Sequence, residues 1–548
     1  MKPSERNELI ALVVVVVIAA ALRTRGLDFG LPMAEARPDE MTIAFQAMKF
    51  GTGDLNPHSF NYPSLFKYLV FVMFGAWYVV GKALGLFDGQ EDFLRSFFAA
   101  DTSFRLLMRA WSAAAGVACV ALLGAAPGRV WGAALLAVCF LHVRDSHFGV
   151  TDATLATLTT AAWFTALILV RTGTVSAAAW AGVFAGLAAS VKYNGGLALA
   201  PVLVAALVCG KPFVARAGAA TAASAIAFVA GSPFVLLDFP TFWKDFSFEM
   251  SHLAEGHHVD VGNALVHHLT RSLPDGMGWP LLLAGVLGLV AAVVREWRVG
   301  LVLATFPVVW LLAMGRGETA FYRYVLPVVP ALCAAAGLAV ASARPRWARI
   351  PLLVLVGAPT AWASLEVTRL MAAGDTRAAM GAWIEANVPS DARIVHAGAY
   401  TGAPMLQRNV VNQTREYAAK ASRSDAAGFR KPDDLKWYRR DRPMYDVVLV
   451  DKAGIDFAST VAPEDVVAAP PAWLMLEDYP LAHYAAVPAA VAELAAARYD
   501  LAHEEIATVA PPDAARFDQQ DAFYAPVAGF GAFGRMGPTL RIYRLRSP

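Results

Sequence analysis

Charge is scarce in this chain. Asp, Glu, Lys and Arg make up 16% of its 548 residues, against 57% hydrophobic, where soluble domains average about 25% charged. With a mean hydropathy of +0.47, so little charge excludes an ordinary water-soluble globule and points to a polytopic membrane protein. Neither sign dominates, and a formal net charge of +2 lacks the basic footprint of a nucleic-acid binder. Cysteine is nearly absent. Cys119, Cys139, Cys209 and Cys333 all lie in apolar runs, which argues for small core side chains and against a disulfide framework, a metal knuckle or a thiol nucleophile.

What is present is a succession of apolar segments, at 9–22, 104–126, 130–143, 153–170, 176–191, 196–210, 217–235, 278–295, 299–314, 322–342 and 350–370. The first is shorter than a comfortable span of about 20 residues, as in a signal peptide, but repeated threading of the later chain favours an uncleaved first crossing. Alternate connections carry the bases: Arg129; Arg171; Lys211 and Arg216; Arg295 and Arg298; Arg344, Arg346 and Arg349. The positive-inside bias places these and the N-terminus in the cytoplasm, which predicts about eleven spans and a C-terminal region on the outer face. Leu65 to Leu86 also looks long enough to cross, but counting it would invert every later turn. It is predicted to lie in or re-enter the outer leaflet; the alternative is a true span with a returning partner near Phe93–Ala100.

The expected fold is a polytopic α-helical membrane domain over 1–370, followed by an extracytoplasmic α/β domain over 371–548. In the latter, the runs at Arg393–His396, Tyr445–Val450 and Leu540–Tyr543 have the character of short buried strands. The Ala/Pro-rich stretch from Val461 to Ala497 shows no interpretable motif.

The outward connections collect polar residues, and ionisable groups at membrane depth are costly and commonly functional. Arg37-Pro38-Asp39-Glu40-Met41 follows the first span. Two readings of Asp39 and Glu40 stand: acids in the first turn of a helix opened by Pro38, or a catalytic pair at the water boundary. Asp145, His147 and Asp152 form a second group, with a solvated turn as the plainer reading of the first two. Lys192-Tyr193-Asn194 and Tyr322-Arg323-Tyr324 are two more, in which the cations serve either as interfacial anchors or as phosphate contacts. His252, His257, His258, His267 and His268 match no standard zinc spacing. Phe242, Trp243, Phe246 and Phe248 suggest an amphipathic lid.

Taken in order, Pro38-Asp39-Glu40, Asn61-Tyr62-Pro63-Ser64-Leu65-Phe66-Lys67-Tyr68, Ser146-His147-Phe148 with Asp152, Lys192-Tyr193-Asn194 and Tyr322 to Pro330 resemble the C-type glycosyltransferases. The nearest branch is that of the protein O-mannosyltransferases and the bacterial lipid A aminoarabinose transferase. The resemblance covers residues 1–370 and implies a bacterial inner-membrane enzyme. Its donor would be a polyprenyl-phosphate-linked sugar, its acceptor is left open, and membrane lipids would surround it. It implies Asp39 as general base, Glu40 as its neighbour in shaping the site, and Asp152 as a second acid that orients the acceptor or binds a divalent cation, the one cofactor left open. Lys67, Arg109, Lys192, Tyr193 and Arg323 would serve the donor phosphate, with a headgroup-seeking arginine as the competing reading of Arg109. Ser64 stands where many members have a second proline. A lipid-linked-sugar flippase without transfer chemistry is the alternative function, and a scaffold or sensor a third; a flippase favours charges or broken helices at mid-membrane, whereas the ionisable residues here gather at span ends.

Overall fold

The computed structural model describes residues 3–33, 36–98, 102–125, 130–257, 259–398, 402–421, 442–450, 460–481, 485–521 and 525–547. Arg129, His258 and the side chain of His252 lie outside the described residues.

Among the described residues, eight helices are long and apolar enough to cross a membrane: Glu5–Thr24, Leu65–Ala83, Thr102–Gly124, Thr151–Thr172, Phe213–Gly231, Trp297–Met314, Tyr322–Ser342 and Arg346–Ala372. The pair Ala264–Met277 and Trp279–Arg295, bent by 111°, raises the number to nine if it forms one span. Three of the eleven expected segments, 130–143, 176–191 and 196–210, fall short of that length, and the reasons are local. Val175–Val191 and Tyr193–Val208 are apolar but shorter, which suits helices sheathed by neighbours. Gly182 and Gly186 face the backbone of Ala220 and Ser224 so closely that an added Cβ would sit 2.1 Å from each carbonyl oxygen. Such contact between small residues is how helices associate in lipid. The segment 130–143 is not one helix but two, Val130–Ala137 and Phe140–Asp145, with Cys139 extended between them. Arg23 caps the break, donating to the carbonyls of Leu136 (3.2 Å) and Ala137 (3.0 Å) and to His142 Nδ1 (2.8 Å). Carbonyls freed where a helix stops need such a partner when buried.

The helix Leu65–Ala83 has the length of a span, yet its contacts keep it at one end of the bundle. Its entry is tied to the C-terminal end of Phe213–Gly231, where the Ser64 N–H donates to Ser232 Oγ (2.9 Å). Trp77, twelve residues on, donates to Ser103 Oγ in the first turn of Thr102–Gly124 (3.1 Å). Phe74, Phe87, Phe93, Phe97 and Phe104 pack around it ring to ring at 5.1–6.1 Å. The returning partner considered near Phe93 is the helix Gln90–Phe98, nine residues, whose reach of about 13 Å covers less than half the hydrocarbon thickness.

The C-terminal part carries a sheet of β1 (Arg393–Ala397), β2 (Gln407–Arg408), β3 (Met444–Val450), β4 (Thr460–Val461), β5 (Trp473–Asp478), β6 (Tyr499–Glu505) and β7 (Thr539–Leu545). The order is β2-β3-β1-β5-β7-β6, with β4 beside β3. Pairing is parallel from β2 through β5 and antiparallel at β5/β7 and β6/β7. The three strands expected from their apolar runs are present. The stretch 461–497, silent as sequence, supplies β5 and the helix Ala489–Arg498.

Between the adjacent strands β6 and β7, the described residues 506–521 and 525–538 leave the sheet and descend onto the membrane helices. Phe530 stacks edge-on against Phe140 and Trp362, at 5.4 and 5.9 Å. Arg369 donates to the carbonyl of Phe533 (3.1 Å). This excursion brings the C-terminal part into the cluster described next.

Candidate active site

The helix Pro38–Lys49 opens with proline and places Asp39 and Glu40 in its first turn, as the sequence suggested, but neither acid caps it. Arg37 holds the N-cap position and no side chain closes it. The two carboxylates turn to different partners and have different fates.

Glu40 is buried and satisfied. Arg109 donates to it from Nε (2.9 Å) and Nη2 (2.9 Å), and the Gly149 N–H adds a third bond (2.8 Å). Arg109 spends Nη1 on the carbonyls of Leu27 (2.9 Å) and Phe29 (2.7 Å) and lies over the Phe29 ring. The pair therefore staples the loop after the first helix to the helix Thr102–Gly124. Arg109 thus spends its guanidinium on Glu40 and two carbonyls rather than on headgroups, and Glu40 lies where a residue that shapes the site would lie.

Asp39 is open. Its side chain is 34% exposed, while Arg323 Nη1 donates to its Oδ2 at 2.7 Å and Arg37 Nη2 lies 3.6 Å from the same oxygen. Burial works to raise the Asp39 carboxyl, but Arg323 and then Arg37 outweigh it and hold the group below its ordinary value. It is ionised at neutral pH, the state in which it can accept a proton. Tyr62, brought in by the loop before Leu65, has its hydroxyl pushed well above its ordinary range by burial and then by Asp39, and so stays a donor.

Next to this pair, Lys192 Nζ donates to Asp152 Oδ1 (2.9 Å). The ammonium sits 5.1 Å from the Tyr324 ring and 5.9 Å from that of Tyr62. Asp39, Asp152, Lys192 and Arg323 thus converge from four separate connections at one end of the bundle. Lys67 and Tyr193 stand apart and hold a loop. Lys67 Nζ donates to the Ser59 carbonyl and Tyr193 Oη to the Phe60 carbonyl, each at 2.7 Å, while Asp245 Oδ2 accepts the Phe60 N–H. The Tyr193 ring packs on Phe242 and Phe246, so the inner face of the helix Phe239–Glu255 closes over that loop. Asp145 and His147 form no solvated turn. Both are buried, Asp145 3.3 Å from Arg144 and His147 held between the carbonyls of Val143 and Arg25.

Two contributors were not legible beforehand. Arg37 Nη1 donates to both oxygens of Asp521, at 2.8 and 2.9 Å, and Asp521 Oδ2 lies 3.8 Å from Arg323. Asp521 belongs to the excursion between β6 and β7. Its neighbours anchor it: Asp518 Oδ2 accepts the Tyr322 N–H (2.8 Å), and Gln520 Oε1 accepts that of Ala320 (2.7 Å) while its amide donates to Val259 and Glu318. Nothing in the string Asp518-Gln519-Gln520-Asp521 announces such a role.

Among the described residues no group of three or more His, Cys, Asp or Glu is arranged to hold a metal ion. Asp39, Asp152 and Asp521 each already face a cation of the protein, so these acids do not fit a divalent cation.

A helical membrane bundle that gathers ion pairs at one end, beneath a sheet-bearing C-terminal domain, is the architecture of the C-type glycosyltransferase fold. Solved structures carry the comparison further. ArnT from Cupriavidus metallidurans bound to undecaprenyl phosphate superposes with a TM-score of 0.51 at 14% identity over 98% of each chain. The same protein in the apo state gives 0.50 at 13% over 97% of each. At that identity the likeness establishes a shared fold. No family model matches the chain, and no curated protein matches it in sequence.

Proposed function

We propose that the protein is an inverting glycosyltransferase that moves a sugar from a polyprenyl-phosphate donor to a hydroxyl of a lipid, glycan or protein acceptor on the outer face of a bacterial inner membrane, with its N-terminus cytoplasmic. The observation that carries this is Asp39: an ionised carboxylate open to the surroundings while its neighbours are buried, set against two guanidiniums at the cluster end of the bundle. The shared fold with ArnT, whose structure holds undecaprenyl phosphate, supplies the donor class.

The chemistry follows from the residue types. The acceptor oxygen attacks the sugar's anomeric carbon as its proton passes to Asp39, and the bond from that carbon to the phosphate oxygen breaks with its electron pair on the departing polyprenyl phosphate. A phosphate is already a weak base, so cations serve it better than a proton donor, and charge-assisted contact with Arg323 and Arg37 meets that need. Drawing Arg323 toward phosphate also relieves Asp39 of the partner that depresses its basicity. Lys192 with Asp152, beside Tyr62 and Tyr324, forms the opposite wall, suited to orient the acceptor. Residues 1–370 carry the reaction and 371–548 the covering domain.

The test is turnover. Purified protein given an undecaprenyl-phosphate-linked sugar should release undecaprenyl phosphate in the presence of a suitable acceptor, with inversion at the anomeric carbon. Transport of the intact donor across a vesicle without its cleavage would favour a flippase instead.

A further inference from the structure

The tail residue Asp521 sits where an incoming phosphate would be expected to sit. Its carboxylate takes two bonds from Arg37 Nη1 and lies 3.8 Å from Arg323 Nη1, so one anion bridges two guanidiniums from different parts of the membrane domain. Planar guanidinium forks match carboxylate and phosphate alike. We propose that Asp521 is an internal stand-in for the donor phosphate, and that the donor loads by exchanging its phosphate for this carboxylate on Arg37 and Arg323. The inference rests on the donor reading above.

Charge balance requires an exchange. Around the open end, Arg37 and Arg323 are matched by Asp39 and Asp521, while Arg144 lies against Asp145 and Lys192 against Asp152. A phosphate added to that set would be an anion with no cation left to match it in a mostly buried site, where like charges are costly. One carboxylate has to withdraw. Asp39 lies in the first turn of a helix whose next residue, Glu40, is stapled by Arg109, and the proposed chemistry keeps it in place. Asp521 is freer to leave. Its side chain is 12% exposed against 2% for Arg37, on the accessible side of the pair, and its release from Arg37 takes one anchor from a segment that is also held through Asp518 and Gln520. Arg323 supplies an independent sign of an unfilled anion place: its Nε is buried and has no hydrogen-bond partner among the described residues. Burial works to raise the Asp521 carboxyl, but Arg323, Arg37 and Arg144 outweigh it and hold the group well below its ordinary value, so the stand-in is anionic whenever the donor is.

The experiment is binding of undecaprenyl phosphate to the full-length protein in detergent, with undecaprenol as the neutral control and inorganic phosphate as the headgroup alone. If Asp521 holds the arginines nine times in ten, Asp521→Asn tightens undecaprenyl phosphate binding about tenfold, because the competent fraction divides the apparent constant. Undecaprenol shows no gain. Arg37→Gln weakens binding, and Arg37→Gln/Asp521→Asn gains nothing over Arg37→Gln. In the unaltered protein, saturating undecaprenyl phosphate increases amide exchange in the segment around Asp521, and undecaprenol does not. That measurement decides the matter even where Asp521→Asn fails to fold. Unchanged or weaker binding by a folded Asp521→Asn protein, or protection of the segment by the lipid phosphate, overturns the exchange while leaving the donor reading intact. A gain for inorganic phosphate with none for undecaprenyl phosphate also overturns it as a loading step. Equal binding of undecaprenyl phosphate and undecaprenol by the unaltered protein removes the donor reading, and the exchange with it.

Discussion

Asp39 and Glu40 are adjacent in the chain, share a charge and sit in the same helical turn, yet their environments assign them opposite work. Asparagine at position 39 keeps the shape of the carboxylate and loses the ability to take a proton. Asp39→Asn is therefore expected to fold and bind donor while transfer falls by roughly 10²–10⁴-fold, read as turnover beside donor affinity and thermal midpoint. Near-normal turnover would take the base role from Asp39. Glu40 is a different case. Replacing it by Gln leaves the Arg109 guanidinium in a buried place with its countercharge gone, and breaking one partner of a buried pair costs about 3–5 kcal/mol. Glu40→Gln and Arg109→Met are both expected to lower the unfolding temperature and the yield of folded protein. Loss of activity at unchanged stability would place the pair in the chemistry after all.

Among the elements, the loop at 56–64 and the excursion residues 506–521 both reach the site. The loop is held by Lys67 and Tyr193 through backbone carbonyls, so Lys67→Met and Tyr193→Phe are expected to raise amide exchange over 56–64 and slow transfer without changing the affinity for undecaprenyl phosphate. An affinity loss for Lys67→Met as large as that for Arg323→Met would restore Lys67 as a phosphate contact. The excursion carries a pH dependence. Burial, with Asp521 adding to it, pushes the Asp518 carboxyl from 3.8 up to about 7. Between those values the folded protein keeps a proton that the unfolded chain has released, so this group's contribution to stability weakens as pH rises through that interval. The thermal midpoint of the unaltered protein should fall over that range relative to Asp518→Asn, which mimics the protonated form; parallel curves would show that Asp518 does not titrate there.

For the whole molecule, the placement of Leu65–Ala83 governs the count of crossings. Its contacts with Ser232 and Ser103 at the cluster end place it along that end, so a reporter inserted after Gly89 is expected on the same side as one after Leu370. Reporters after Arg171 and Arg298 are expected in the cytoplasm. A cytoplasmic signal after Gly89 would make the helix a true crossing. The covering domain is also more than an appendage, since Asp518, Gln520 and Asp521 join loops of the membrane part to one another.

Composition and periodicity were sufficient to reveal a helical membrane protein with a strand-bearing tail, because hydrophobic runs and their flanking bases are read locally. The order of the short polar motifs was sufficient to bring Asp39, Asp152, Lys192 and Arg323 under suspicion. Tertiary structure alone decided which of the suspected groups meet. Lys67 and Tyr193 lie near in sequence to site motifs but spend their polar atoms on carbonyls at Ser59 and Phe60, a choice set by loop packing. The break at Cys139 depends on Arg23, more than a hundred residues earlier. Asp521 reaches Arg37 across 484 residues, and no local pattern encodes a contact of that kind, since an aspartate in a tail has the same sequence character whether it meets water or a buried guanidinium.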